Sequence, residues 1–174
     1  MDGGGGGRLT LMRVLCLVIL LLIALVAAGV RLKVMPSAAS GIYWLTAAPS
    51  PLDHGLLVVV QTPESRRLMR ELHGRLASWL LPIMKPIAAL SGDQVCLLDG
   101  TLQIAYGSTH EGYGPVLTDH RGHRLPTWID QGCRTIPEGS VFLASQAVQS
   151  LDSRYFGPVR MADIRHRAVP VLTW

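Results

Sequence analysis

Val95-Cys96-Leu97-Leu98-Asp99-Gly100-Thr101-Leu102-Gln103-Ile104-Ala105 carries the clearest structural signal in the chain. Two short apolar runs flank an Asp-Gly pair, which suits a tight two-residue turn needing positive φ at both central positions. The stretch predicts a β-hairpin. Working outward, Pro137-Glu138-Gly139 is a second turn, leading into Val141-Phe142-Leu143. Leu56 to Val60 is an aliphatic run of the kind that forms a buried strand, and Ile87 to Leu90 is another short apolar run. Thr62-Pro63-Glu64 starts a helix, with Thr as N-cap, Pro in the first turn and an acid near the positive end. Leu68, Leu72, Leu76, Trp79 and Leu80 give it one apolar stripe, Arg66, Arg67, Arg70 and Arg75 lie mostly off it, and Pro82 ends it. Residues 106–118 read as a surface loop. Short strands and frequent turns predict a mostly β domain, a small barrel or packed sheets, with one short α-helix.

Toward the N-terminus the pattern changes. Val14 to Val30 runs for 17 residues without a polar side chain. As a helix this spans about 25 Å, and Leu11, Met12 and Leu32 extend it toward the roughly 30 Å hydrocarbon core of a bilayer. A secretory signal peptide is the rival reading. Its apolar stretch is usually about 7–15 residues long, and Ala27-Ala28-Gly29 offers a small-residue cleavage site. The length favours an uncleaved anchor. The expected organisation is a flexible tail over 1–10, a transmembrane anchor over 11–33 and one domain over 34–174. Arg8 and Arg13 on one side balance Arg31 and Lys33 on the other, so local charge leaves the orientation open.

The chain of 174 residues is 49% apolar and 16% charged, which excludes a disordered protein. Its formal charge of +4 suggests a nucleic-acid partner only until it is located. Residues 1–33 carry Arg8, Arg13, Arg31 and Lys33 against Asp2, and the remaining 141 residues carry twelve basic and eleven acidic side chains. A domain so close to neutral has no electrostatic footprint for a phosphate backbone. Cys16 lies in the apolar run. Cys96 and Cys133 are the only cysteines beyond it; two free thiols and one disulfide in an oxidising compartment both fit.

Chemistry is suggested by an imbalance of fourteen arginines against two lysines. Lys33 borders the anchor, so Lys85 is the domain's one lysine. Its neighbours, Ile83-Met84-Lys85-Pro86-Ile87-Ala88-Ala89-Leu90, are apolar. Burial there disfavours the ammonium and lowers the pKa toward neutrality, which a general base requires and an arginine does not reach. A strand-edge lysine snorkelling to water is the plainer alternative. A second constellation is Met35-Pro36-Ser37-Ala38-Ala39-Ser40-Gly41-Ile42-Tyr43-Trp44, a serine among small residues beside an aromatic pair. A third is Ser150-Leu151-Asp152-Ser153-Arg154-Tyr155-Phe156-Gly157. His120 and His123 have metal-ligand spacing, but no Cys or acid cluster accompanies them, so no metal and no cofactor is expected.

In this order the three pieces resemble the type I signal peptidase family, and most closely its conjugative-transfer, TraF-type branch of pilin-processing peptidases. Lys85 to Asp93 is similar to the family's K-x-x-x-x-L-x-G-D box, and Ser150 to Gly157 matches its S-x-D-S-R-Y-F-G box. The first box, S-x-P-x-G-x-Y, is looser: Gly41 and Tyr43 align, Ala39 stands where proline is expected, and Pro36 precedes the serine. The resemblance implies a signal-peptidase-like β-sheet or barrel domain with a Ser–Lys dyad. Ser37, Lys85 and Asp152 form the implied catalytic set, with Ser37 as nucleophile, Lys85 as base and Ser40 as competing nucleophile. Ser150 would hold the lysine, and Asp152 with Arg154 would shape the floor. The backbone N–H of Ser37 would serve the oxyanion, and Met35 offers no hydroxyl as second donor. The stretch from Cys96 to Cys133, with Leu125-Pro126-Thr127-Trp128, resembles the same branch and implies a Cys96–Cys133 disulfide. The implied setting is a bacterial inner membrane with the domain in the periplasm. The implied partners are membrane lipid and a pilin precursor or other membrane-bound preprotein, processed by hydrolysis or cyclisation. A housekeeping signal peptidase, a non-catalytic pilus-assembly factor and a self-cleaving Ser–Lys regulator are the competing readings.

Overall fold

The structure is a computed structural model that describes residues 5–33, 39–80, 82–115, 125–147 and 150–174. The hairpin forms as its turn demands. β5 (Gln94–Leu98) and β6 (Thr101–Tyr106) pair antiparallel, and Asp99 and Gly100 both take positive φ, 50° and 76°. Flanked by β7 (Thr109–Pro115) and β8 (Gly132–Thr135), they make a four-stranded sheet in the order β7-β6-β5-β8. β1 (Val30–Lys33), β2 (Gly41–Ala47), β3 (Leu57–Val60), β4 (Ile83–Ala89), β9 (Ser140–Leu143), β10 (Val159–Arg160) and β11 (His166–Thr173) make a seven-stranded sheet in the order β1-β2-β11-β3-β4-β9-β10. The helices are α1 (Gly5–Ala27), α2 (Pro63–Leu80) and the single turn α3 (Ser153–Phe156). The protein is mostly β.

Two apolar cores share one wall. Val95, Leu97, Leu102, Ile104 and Ile136 fill the first, and Val58, Val60, Val159 and Ile164 the second. Successive side chains on a strand point to opposite faces. On β9, Val141 and Leu143 enter the second core while Phe142 enters the first; on β4, Ile87 enters the second and Ala88 and Ala89 the first. The β4–β9 pair is therefore apolar on both faces, with a register shift between Ile87 and Ala89. Lys85 sits in this wall, opposite Val58 of β3.

Helix α1 includes an 18-residue stretch, Thr10–Ala27, long and apolar enough to cross a membrane and exposed along its length. It passes into the sheet through Ala28 and Gly29 alone. Gly29 has φ 92°, its carbonyl accepts from Leu45 N at 2.9 Å, and Arg31 Nη1 donates to Val26 O at 2.6 Å. A cation on the last helical carbonyls suits the negative end of the helix dipole. β1 then pairs with β2, Leu32 opposite Ile42.

Several expectations change here. The stretch expected to be tail is helical from Gly5, and residues 30–33, expected in the anchor, are strand. β4 begins at Ile83, ahead of the apolar run from Ile87, because Lys85 and Pro86 lie within it. Residues 109–115, read as loop, are the edge strand β7; Thr-His-Glu-Gly-Tyr-Gly-Pro has no apolar run because only one edge pairs. Thr62 caps α2, its Oγ1 accepting from Ser65 N at 3.1 Å. Ser65 and Met69 are buried and Leu68 is only half-buried, while Arg66, Arg67 and Arg70 are exposed. The side chains of Leu72, Leu76, Trp79 and Leu80 lie outside the described residues, as do His120 and His123.

Cys96 of β5 faces Cys133 of β8 across the register, and the two sulfurs are bonded. The bridge closes a loop with a sequence separation of 37. In the chain-entropy account that removes about 4 kcal/mol of freedom from the unfolded chain. Cys96→Ser, Cys133→Ser and the double variant should therefore each lose roughly 2–5 kcal/mol in denaturant unfolding. Wild type treated with reductant should fall to the same level.

Candidate active site

Lys85 extends from β4 into a buried polar knot formed by Ser145, Ser150, Asp152, Ser153 and Arg154. Its Nζ lies 2.9 Å from Ser150 Oγ, and Lys85 is 5% exposed while Ser150 and Asp152 are wholly buried. Ser150 Oγ lies 2.5 Å from Asp152 Oδ2. Arg154 grips the same carboxylate with two bonds, Nε to Oδ1 and Nη2 to Oδ2, both 2.8 Å. Asp152 also caps α3, accepting from Arg154 N at 3.2 Å, and takes a further bond from Ser145 N at 3.2 Å. Ser153 Oγ accepts from Leu143 N at 3.0 Å, tying α3 to β9.

The directions of these bonds carry the chemistry. An ionised carboxylate only accepts, so the single hydroxyl proton of Ser150 is given to Asp152. Ser150 then presents a lone pair to Lys85, which donates one N–H. Asp152 reaches Lys85 through Ser150, and its charge is matched by Arg154. Burial works against the Arg154 charge, but the hydrogen bonds and charge of Asp152 more than offset it and hold the guanidinium above its usual value. A bidentate pair of this kind is both strong and fixed in orientation.

The structure thus brings together Lys85, Ser150, Asp152 and Arg154. Ser37 lies outside the described residues, with Met35, Pro36 and Ala38. Ser40 is described: its carbonyl accepts from Trp174 N at 3.0 Å, at the end of β11. Tyr43 is buried with Met84 and Ala168, and its hydroxyl donates to Ala39 O at 2.7 Å. The rest of the lysine box is a turn. Asp93 Oδ2 accepts from Leu90 N at 2.7 Å, and Gly92 has φ 90°.

Sequence reasoning gave Trp128 no place at the site and missed Ser145 and a cluster beside the knot. Trp128 N donates to Arg154 O at 2.7 Å. Glu111 of β7 accepts from Tyr106 OH at 2.7 Å and Tyr113 OH at 2.8 Å, and Tyr113 is within electrostatic reach of Asp152 and Arg154. His54 stacks on Tyr106, ring centroids 4.2 Å apart, and meets Asp93 at 2.6 Å. No sequence signal pointed toward this cluster, whose members come from β6, β7, the turn after β4 and the segment before β3. No group of three His, Cys, Asp or Glu side chains among the described residues is arranged to hold a metal.

The family model for signal peptidase, peptidase S26, matches residues 8–174. The chain belongs to the signal peptidase family. Among its relatives, the conjugal transfer protein TraF of Agrobacterium fabrum is 30% identical over 152 residues, covering 84% of each chain. A plasmid transfer protein TraF of Escherichia coli is 29% identical over 154 residues, covering 84% of this chain and 85% of that one. The crystal structure of a signal peptidase I from Enterococcus faecalis aligns with a TM-score of 0.38 at 23% identity, over 73% of this chain and 100% of that one. In this family member a hydrogen bond from Lys85 to Ser150 joins the lysine box to the Ser150–Gly157 box.

The Glu111 cluster sets a pH dependence of stability. The hydrogen bonds from Tyr106 and Tyr113 hold the Glu111 carboxyl below its usual range. A folded-state pKa below the unfolded one adds stability above the unfolded value, about 4.3, and that stability is lost as pH falls through the lowered folded value. Glu111→Gln should be less stable than wild type at pH 7, and the gap should close in acid. Urea midpoints from pH 7 to pH 3 measure it; a gap independent of pH would contradict the assignment.

Proposed function

We propose that this protein is a membrane-anchored serine endopeptidase with a Ser37–Lys85 dyad, which processes the pilin precursor of a conjugative transfer system. The observation that carries the reading is the 2.9 Å bond from Lys85 Nζ to a Ser150 hydroxyl whose proton is committed to Asp152. Ser150 occupies one side of the amine, and burial opposes the ammonium. A neutral Lys85 then takes the Ser37 proton. Ser37 attacks the peptide carbonyl, its backbone N–H stabilises the oxyanion, and the lysine proton passes to the leaving amine. Water or an amine then resolves the acyl-enzyme. Asp152, Ser150 and Arg154 act as positioning residues. The conjugal transfer names of the relatives support the choice of substrate.

The sheet supports a site at the bilayer surface. Leu32, Trp44 and Leu172 are exposed, and the register puts all three on the face opposite Tyr43. This apolar face begins directly after the anchor, and a tryptophan suits the membrane interface. The disulfide suits an oxidising compartment, here the periplasmic side of the inner membrane.

The test is cleavage of a membrane-embedded pilin precursor by full-length protein, with a general secretory preprotein as the competing substrate. Ser37→Ala should abolish cleavage and Ser40→Ala should retain most of it. Lys85→Arg should be as inactive as Lys85→Ala, with a loss of at least about 10²-fold, because arginine keeps its proton. The wild-type rate should rise with pH as the lysine discharges. Wild-type cleavage of neither substrate would favour a non-catalytic assembly factor, and an Lys85→Arg rate within about tenfold of wild type would remove the dyad.

A further inference from the structure

Trp128 takes no part in the mechanism above, yet it grips the turn on which the mechanism depends. Its N–H donates to the carbonyl of Arg154. Its indole fills the space beside Gly157, where a Cβ would lie 3.0 Å from Cδ1. Gly157 closes α3 with φ 81°. Trp128 therefore touches both the middle and the end of the four-residue turn that presents Arg154 to Asp152.

The indole is itself supported. Its centroid lies 5.7 Å from that of Phe142, and the Arg134 guanidinium sits 5.4 Å above the ring. Arg134 follows Cys133, which is bonded to Cys96. The support comes from the small sheet and the β4–β9 wall, whereas the turn that Trp128 holds follows β9.

We propose that Trp128 is a positioning residue for the Ser–Lys dyad, holding α3 so that Arg154 stays paired with Asp152 and Ser150 stays aimed at Lys85. This rests on Lys85 being the neutral base. Among the described residues Ser150 bonds to its amine, Asp152 and Arg154 lie behind Ser150, and Tyr113 of β7, bonded to Glu111, is within electrostatic reach of that pair. When the turn loosens, Asp152 loses part of its arginine and water enters. Both changes favour the ammonium. Losing the indole thus raises the pH needed to discharge Lys85, an effect a merely structural residue would not have.

The chain's two lysines make this measurable without activity. Full-length protein labelled with 13C-lysine in detergent has two Cε signals, and Lys85→Arg assigns them. In Trp128→Ala the Lys85 titration midpoint should rise by about one pH unit or more. The cleavage kcat at pH 7 should fall at least about tenfold while KM stays within about twofold. Trp128→Phe keeps a ring against Gly157 and should hold the midpoint within about 0.3 units. If Trp128→Ala fails to fold, Trp128→Leu is read by the same criterion. A low wild-type midpoint left unmoved in a folded Ala or Leu variant overturns the positioning role alone. A wild-type Lys85 that titrates near the ordinary value of about 10.4 overturns the dyad reading and this proposal together.

Discussion

Arg154 and Asp152 are a charge pair with almost no contact with water, and the chemistry around Lys85 depends on that pair being closed. Taking two such ions out of water costs several kcal/mol each, offset only by good geometry and complete hydrogen bonding. Both conditions hold: the guanidinium is bidentate, and the carboxylate also accepts from Ser150, Ser145 and the Arg154 backbone. Among the described residues no buried side-chain nitrogen or oxygen lacks a hydrogen-bond partner. Matched in this way, Asp152 orients Ser150, and Ser150 in turn meets Lys85.

The fold places this knot where an amine is hard to solvate. β4 is central in the large sheet and has a core on each side, so a lysine two residues into the strand has little access to water. α2, inserted between β3 and β4, leaves the sheet where Val60 faces Ile83, and it touches α3. The small sheet acts from the other side through Trp128 and β7. The disulfide joins β5 to β8 in that sheet, so its constraint reaches the site through the chain that carries Trp128.

The path from anchor to domain is equally short. Two residues separate α1 from β1, and Arg31 and Gly29 fix the junction. β1 is the edge of the large sheet, so an apolar helix and an apolar sheet face are joined without a linker. That geometry leaves little freedom between the apolar helix and the domain that follows it.

The sequence alone determined the elements with local causes. Asp99-Gly100 specifies a turn, Thr62-Pro63 starts a helix and Val14–Val30 forms an apolar segment wherever they sit in space. Lys85 stood out by composition, and Ser150 to Gly157 by its match to a family box. β1, β7 and β8 were not legible, because short or edge strands are defined by the neighbour they pair with; β11, an interior strand, was hidden by Pro170, which lies beside a register shift. Ser145 was not legible as a site residue because it reaches Asp152 through its backbone N–H, a group every residue but proline has, and Trp128 was not because its contacts with Arg154 and Gly157 join segments far apart in sequence. Only the tertiary structure decided that Lys85 lies in the wall between two cores, that Ser150 turns its lone pair toward it, and that Arg154 matches Asp152. Burial and hydrogen-bond direction belong to the packed arrangement of distant segments, and no residue type carries them alone.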